Sequence, residues 1–125
     1  MNTVLLVTHE GIGSTLQIAA TNTLKTLPCE IISIDCPQDA DLDALLESAL
    51  GALQGAGKDV LIFSDLYGAS PHNLAQQIKT ALGEKAHLIS GLNLPMLLRT
   101  LNYIDLPLAD LCKKAIEGGV KGICE

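Results

Sequence analysis

The chain reads as an α/β fold, a doubly wound, mostly parallel sheet with helices on both faces. Three observations lead there. Val4 to Val7 and the core of Asp59 to Ser64 are continuous apolar runs, the pattern of strands covered on both sides rather than of strands with one wet face. The strand-like runs alternate with helix-length apolar periodicities, which implies βαβ units joined by crossovers. Two of the runs end in a titratable side chain, His9 and Asp65, and in such sheets ligands bind at the carboxyl ends of the strands.

The elements follow in order. Val4 to Val7 form the first strand, with His9 just past its end and Gly11-Ile12-Gly13 turning the chain. Ser14 is placed as the N-cap of a first helix, whose apolar positions Leu16, Ile18, Ala19, Ala20 and Leu24 carry it to Leu27-Pro28, where proline stops it. Glu30 to Asp35 is strand two. Leu42, Leu45, Leu46, Ala49 and Leu53 mark a second helix, with Gly51, Gly55 and Gly57 at its end. Asp59 to Ser64 is strand three. Ser70 before Pro71 suits an N-cap followed by the first helical position, so a third helix runs from Pro71 to about Leu82. Ala86 to Ser90 is strand four, and Gly91 to Pro95 introduce a fourth helix reaching Tyr103. A last helix starts near Pro107 and fades at Gly118-Gly119. The apolar tail from Val120 to Glu125 fits a short antiparallel edge strand. The flavodoxin-like order 2-1-3-4 makes strands one and three neighbours and brings His9 and Asp65 together at the switch point.

Length and composition limit the rest. The 125 residues make one domain, 1–125, with room for one core and one site. Hydrophobic residues are 48% and aromatic ones 2%, so the core is aliphatic and offers no stacking platform for single-stranded nucleic acid. The net charge of −6, without a basic block, removes the main electrostatic term for binding nucleic acid or an anionic membrane. Cys29, Cys36, Cys112 and Cys124 show neither C-x-x-C nor zinc spacing. No signal peptide or membrane-spanning run is read. A cytoplasmic protein with reduced thiols is expected, with no membrane insertion.

The chemistry centres on His9. Gly11-Ile12-Gly13 begins like a dinucleotide fingerprint, but Leu16 stands where the third glycine belongs, and no Walker lysine is present. What remains is an imidazole beside two helix N-termini, whose amides and dipole ends favour an anion. A neutral imidazole accepts and donates phosphoryl groups near neutral pH. A carboxylate such as Asp65, bonded to one ring nitrogen, leaves the other free to attack. His72, in the first turn of the third helix, reads as a surface or rim histidine, and His87, within a strand, as structural. His9, Asp65 and His72 are suitable metal ligands by type but lack metal spacing. No metal and no cofactor are expected.

Val7-Thr8-His9, the block Ser64-Asp65-Leu66-Tyr67-Gly68-Ala69-Ser70-Pro71-His72-Asn73, and Gly91-Leu92-Asn93-Leu94-Pro95-Met96-Leu97 resemble, in order and spacing, the signatures of the mannose-type IIA components of the bacterial sugar phosphotransferase system. The resemblance spans essentially the whole chain. It implies a cytosolic homodimer that takes phosphate from the phosphohistidine of HPr and passes it to a IIB protein, here a separate chain. It makes His9 the phosphorylated histidine, Asp65 the orienting carboxylate and Ser70 the hydroxyl beside the phosphoryl group. Gly11 and Gly13 would supply further phosphoryl contacts, and Tyr67 and His72 would face the partner. Three positions depart from the pattern: Tyr67 where tryptophan is common, His72 where phenylalanine is usual, and Glu10 where glycine is frequent. Two other roles fit the same residues. One is a regulatory module whose phosphorylation state alters binding to another protein. The other is the phosphoryl-carrier subunit of a dihydroxyacetone kinase, although the Gly91 to Leu97 block favours the mannose type.

Overall fold

A computed structural model of the protein describes residues 2–54 and 58–125. Gly55 and Gly57, read above as helix-ending signals, lie outside the described residues. The elements are β1 (Thr3–His9), α1 (Ile12–Leu24), β2 (Ile31–Cys36), α2 (Leu42–Leu53), β3 (Val60–Ser64), α3 (Ser70–Leu82), a 3₁₀ turn (Gly83–Lys85), β4 (Ala86–Ile89), α4 (Leu94–Asn102) and α5 (Leu108–Lys121). The sheet is four-stranded, in the order β2-β1-β3-β4, and every pairing is parallel. The expected fold class and strand order are both present.

Alternation along the strands divides the core. Val4 and Leu6 of β1 and Leu61 and Phe63 of β3 join Met96, Leu97 and Leu101 of α4 and Leu111 and Ala115 of α5, with α1 beside them. Leu5, Val7 and Ile62 point the other way, into Leu74, Ala75 and Ile78 of α3 and Ala49 of α2. The central strands therefore have no wet face, which is why their sequences do not alternate. Each fully buried Leu, Ile or Phe contributes on the order of 1.5–3 kcal/mol through removal from water. One buried polar side chain ties the core to a loop. Asn2 donates through Nδ2 to the carbonyls of Ile104 and Leu106, both at 2.8 Å, and so fixes the α4–α5 connection to the start of β1.

Several boundaries differ from the sequence reading, each for a local reason. Helix α1 starts at Ile12, two residues before Ser14, because Gly11 takes the left-handed conformation (φ +88°) that turns the chain directly off β1. Gly51 lies inside α2 rather than at its end. Ser70 is the first residue of α3, with Ala69 in the cap position. The largest correction is at the carboxyl terminus. Gly118-Gly119 do not end α5, which continues to Lys121, and the tail makes no edge strand. Packing demands the first of these glycines and crowds the second. A Cβ on Gly118 would collide with the Cβ of Arg99 and the carbonyl of Pro95, and one on Gly119 would come within 2.6 Å of Met96 Cε.

Gly118→Ala should therefore destabilise the protein although alanine is the better helix former. Overpacking against a neighbouring Cβ costs about 1–3 kcal/mol, whereas the helix gains roughly 1 kcal/mol from the replacement. Thermal unfolding should shift down by a few degrees. An unchanged or higher Tm would mean that α4 and α5 are not held this closely.

Candidate functional site

Strand pairing fixes the geometry around His9. Val7 of β1 is opposite Ser64 of β3, so the next residue of β3, Asp65, leaves the sheet alongside Thr8 and His9. His9 is the last residue of β1 and the only exposed one in it. Its ring Nδ1 lies 2.7 Å from Asp65 Oδ2, and its backbone N–H donates to the same oxygen at 3.2 Å. A carboxylate only accepts, so Nδ1 carries the proton in this contact and Nε2 presents its lone pair outward. The side chain of Asp65 is 8% exposed and that of His9 46%. The carboxylate is thus buried and the imidazole accessible.

The two neighbouring helix ends are not equivalent. At α1, the carboxylate of Asp35 accepts the Gly11 N–H at 2.8 Å and the Ser14 hydroxyl at 2.7 Å through one oxygen, and Thr8 Oγ1 accepts the Gly13 N–H at 2.8 Å. An internal anion already sits where the dipole would favour an external one. At α3 no side chain caps the helix. Ser70 and Pro71 at this open end line, with His9, Glu10, Cys36 and the β2–α2 loop, a cleft of about 520 Å³. The helix terminus beside His9 that no side chain caps is that of α3. The Gly11 and Gly13 amides are committed within the protein, contrary to the expectation that both glycines contact the phosphoryl group.

The remaining expected residues separate into rim and interior. Tyr67 is 75% exposed and Leu66 58%, an exposed apolar pair in the loop that follows Asp65. His72 is buried, at 4% exposure, not on the rim. Its Nδ1 lies 2.6 Å from Ser64 Oγ, and its ring packs under Tyr67 with centroids 4.8 Å apart. The position in the first helical turn suggested exposure, but the ring is turned inward beneath the loop. His87, read as structural, is exposed on β4. Among the described residues, no group of three or more His, Cys, Asp or Glu is placed to hold a metal ion.

Sequence reading missed two neighbours of the site. Asp35 is the penultimate residue of β2, near the same end of the sheet as Asp65 after β3, and that parallel was available as a signal. Cys36 is in register with His9 and lines the cleft. Burial, then Asp35, then Asp65 push its thiol above the ordinary range, so it is a poor nucleophile at neutral pH.

Residues 3–116 match the model of one protein family, PTS system fructose IIA component. No curated protein matches the chain. Solved structures do. A phosphotransferase system component EIIA from Streptococcus agalactiae aligns with a TM-score of 0.90 at 20% identity, covering 100% of this chain and 97% of that one. The mannose/sorbose specific IIA subunit from Enterococcus faecalis aligns with a TM-score of 0.82 at 17% identity, over 99% and 92% of the two chains. A PTS IIA protein associated with the fucose utilization operon of Streptococcus pneumoniae gives 0.82 at 16%, again over 99% and 92%. At such identities the likeness is one of fold.

The hydrogen bond between His9 and Asp65 makes a spectroscopic prediction that needs no partner. In Asp65→Asn the side chain keeps its shape but loses its charge and can donate to Nδ1 through its amide. Long-range ¹H–¹⁵N correlation spectra should show the wild-type ring protonated at Nδ1 and the variant shifted toward the Nε2–H tautomer. An unchanged tautomer would mean that Asp65 does not orient the ring.

Proposed function

Because the chain belongs to the family described as PTS system fructose IIA component, we propose that it is a phosphohistidine carrier. It accepts phosphate on His9 from phospho-HPr and passes it to a IIB protein, with no cofactor. The observation that carries this reading is the Nδ1 contact of His9 with Asp65, which leaves Nε2 as the nucleophile in a cleft with an open helix N-terminus. The Nε2 lone pair attacks phosphorus, a P–N bond forms on His9, and the P–N bond to the donor imidazole breaks, its electrons returning to the donor nitrogen. The ring of His9 gains positive character as the bond forms, and Asp65 stabilises the Nδ1–H. Ser70 and the α3 amides face the phosphoryl oxygens. Transfer to IIB reverses the bonding on His9 and regenerates its lone pair.

The exposed Leu66 and Tyr67 give partner proteins an apolar contact adjoining the nucleophile. The setting is cytoplasmic, where the phosphate donor resides, and among the described residues no helix is long and apolar enough to cross a membrane.

The test is incubation with Enzyme I, HPr and labelled phosphoenolpyruvate. Wild type should take up label in acid-labile, base-stable form, and His9→Ala should take up none. Asp65→Asn should label about 10²-fold to 10⁴-fold more slowly while remaining folded, as other carboxylate-to-amide changes behind a histidine do. Label retained by His9→Ala at the wild-type level would overturn the assignment.

A homodimer is the second part of this reading, and its support is now the β4 edge rather than the tail. Among the described residues β4 pairs only with β3, and it adjoins a groove of about 390 Å³ lined by Leu88, Met96, Ile116 and Val120 among others. Ile116, Val120 and Ile123 are 49%, 64% and 78% exposed. An unpaired strand flanked by apolar side chains is a liability in a monomer, and a two-fold axis beside β4 would set two such edges antiparallel and cover both flanks. Sedimentation should give a dimer at micromolar concentration, and Val120→Glu should dissociate it. A wild-type monomer would contradict the proposal.

A further inference from the structure

We propose that His72 is a positioning residue: it holds the loop that carries Asp65 by bonding Ser64 at the loop's start, and it seats Tyr67 at the partner-facing lip. The proposal rests on the carrier reading above and adds to it a residue with a role of its own.

The imidazole spans the loop from below. Its Nδ1 is 2.6 Å from the hydroxyl of Ser64, the last residue of β3 and the one before Asp65. Its face packs against Tyr67, with the rings tilted by 49°, and its own backbone lies in the first turn of α3, where the loop ends. One side chain therefore touches the start, the middle and the end of the segment between β3 and α3. Both members of the polar contact are interior, Ser64 at 0% and His72 at 4% exposure.

The choice of histidine needs a reason. A phenyl ring would fill the same volume and pack equally under Tyr67. The imidazole instead buries an Nε2 that has no hydrogen-bond partner, which is unfavourable unless the other ring nitrogen earns its place. What the imidazole adds over phenyl is the bond to Ser64, which would itself hold a buried hydroxyl without that partner. Polar groups retained in a core at a local cost cluster where function requires a fixed geometry. Here the geometry one residue away is that of Asp65, whose Oδ2 takes both the backbone N–H and the ring Nδ1 of His9. A shift in backbone direction at residue 65 would move that oxygen off the ring nitrogen it orients.

His72→Phe keeps the ring beneath Tyr67 and cuts the tie to Ser64, and Ser64→Ala cuts the same tie from the other side. Two readouts apply: transfer kinetics from phospho-HPr, and the His9 tautomer by ¹⁵N NMR in unphosphorylated protein. Both variants should lower kcat for transfer by about 10-fold to 100-fold, the range for loss of a residue that orients a reacting ligand, with little change in KM. The double variant should be no slower than either single one. Both should reduce the Nδ1-protonated fraction of His9, and His72→Gln, able to bond Ser64, should recover part of the loss. His72→Ala should also raise KM, since Tyr67 loses its support. Wild-type kcat and tautomer in His72→Phe would overturn the proposal, as would defects that multiply in the double variant. If His72→Phe does not fold, Ser64→Ala decides by the same readouts. If wild-type His9 takes no phosphate, the carrier reading fails, and the tautomer measurement still decides whether His72 positions Asp65.

Discussion

His9 donates twice to a single oxygen of Asp65, from its backbone and from its ring, and that arrangement depends on β1 and β3 being neighbours in the sheet. The two residues are 56 positions apart, so nothing local in the chain holds them together. Strand register does: with Val7 opposite Ser64, the carboxylate leaves β3 where the histidine leaves β1. The continuous apolar runs that bury β1 and β3 on both faces therefore serve the site directly. Packing of distinct side chains on the two faces holds the register, since a slip of one residue would exchange the two faces, and the register aims the carboxylate.

A second constraint is electrostatic. The site gathers carboxylates: Asp65 under the ring, Glu10 beside it and Asp35 behind α1. Asp35 has a structural task, since its Oδ2 takes up the Gly11 amide and the Ser14 hydroxyl and closes the α1 terminus to other anions. Among the described residues the cleft lining contains no lysine or arginine, so backbone dipoles and the neutral donors Ser70 and Gln38 are what it offers to an anion. Such groups bind a phosphoryl group without neutralising it. That balance suits a relay, in which the phosphoryl group must be released as readily as it is accepted.

The fold was legible because the strands carry a signal that survives without context. A run such as Val4 to Val7 has few alternatives, and its spacing from the next run dictates the crossover. His9 and Asp65 were legible as strand-end residues for the same reason. Features set by tertiary packing were hidden. Gly118 and Gly119 look like a helix terminus, yet α4 passes too close to Gly118 for a Cβ and crowds Gly119 through the end of Met96. The tail composition suits a strand, but α5 takes up its first two residues and the rest pairs with no strand. Ser14 has the right chemistry for a cap, and its hydroxyl goes instead to Asp35, a bond that depends on β2 lying beside β1. His72 was misplaced because helix position alone does not say which way a ring turns when a loop folds over it.

The β3–α3 loop is where these constraints meet. At its start is Asp65, bonded to His9; in its middle is the exposed Tyr67; at its end are Ser70 and the uncapped N-terminus of α3. Loops ordinarily tolerate motion because few buried groups hold them, but this one is fastened from below by a histidine ring and at its first residue by the sheet. A segment restrained in this way cannot adjust its rim without disturbing its base. In a carrier, contact of a protein partner with Tyr67 and the placement of Asp65 against His9 would then be parts of one mechanical unit. Phosphoryl transfer would be sensitive to how the partner seats as well as to whether it binds.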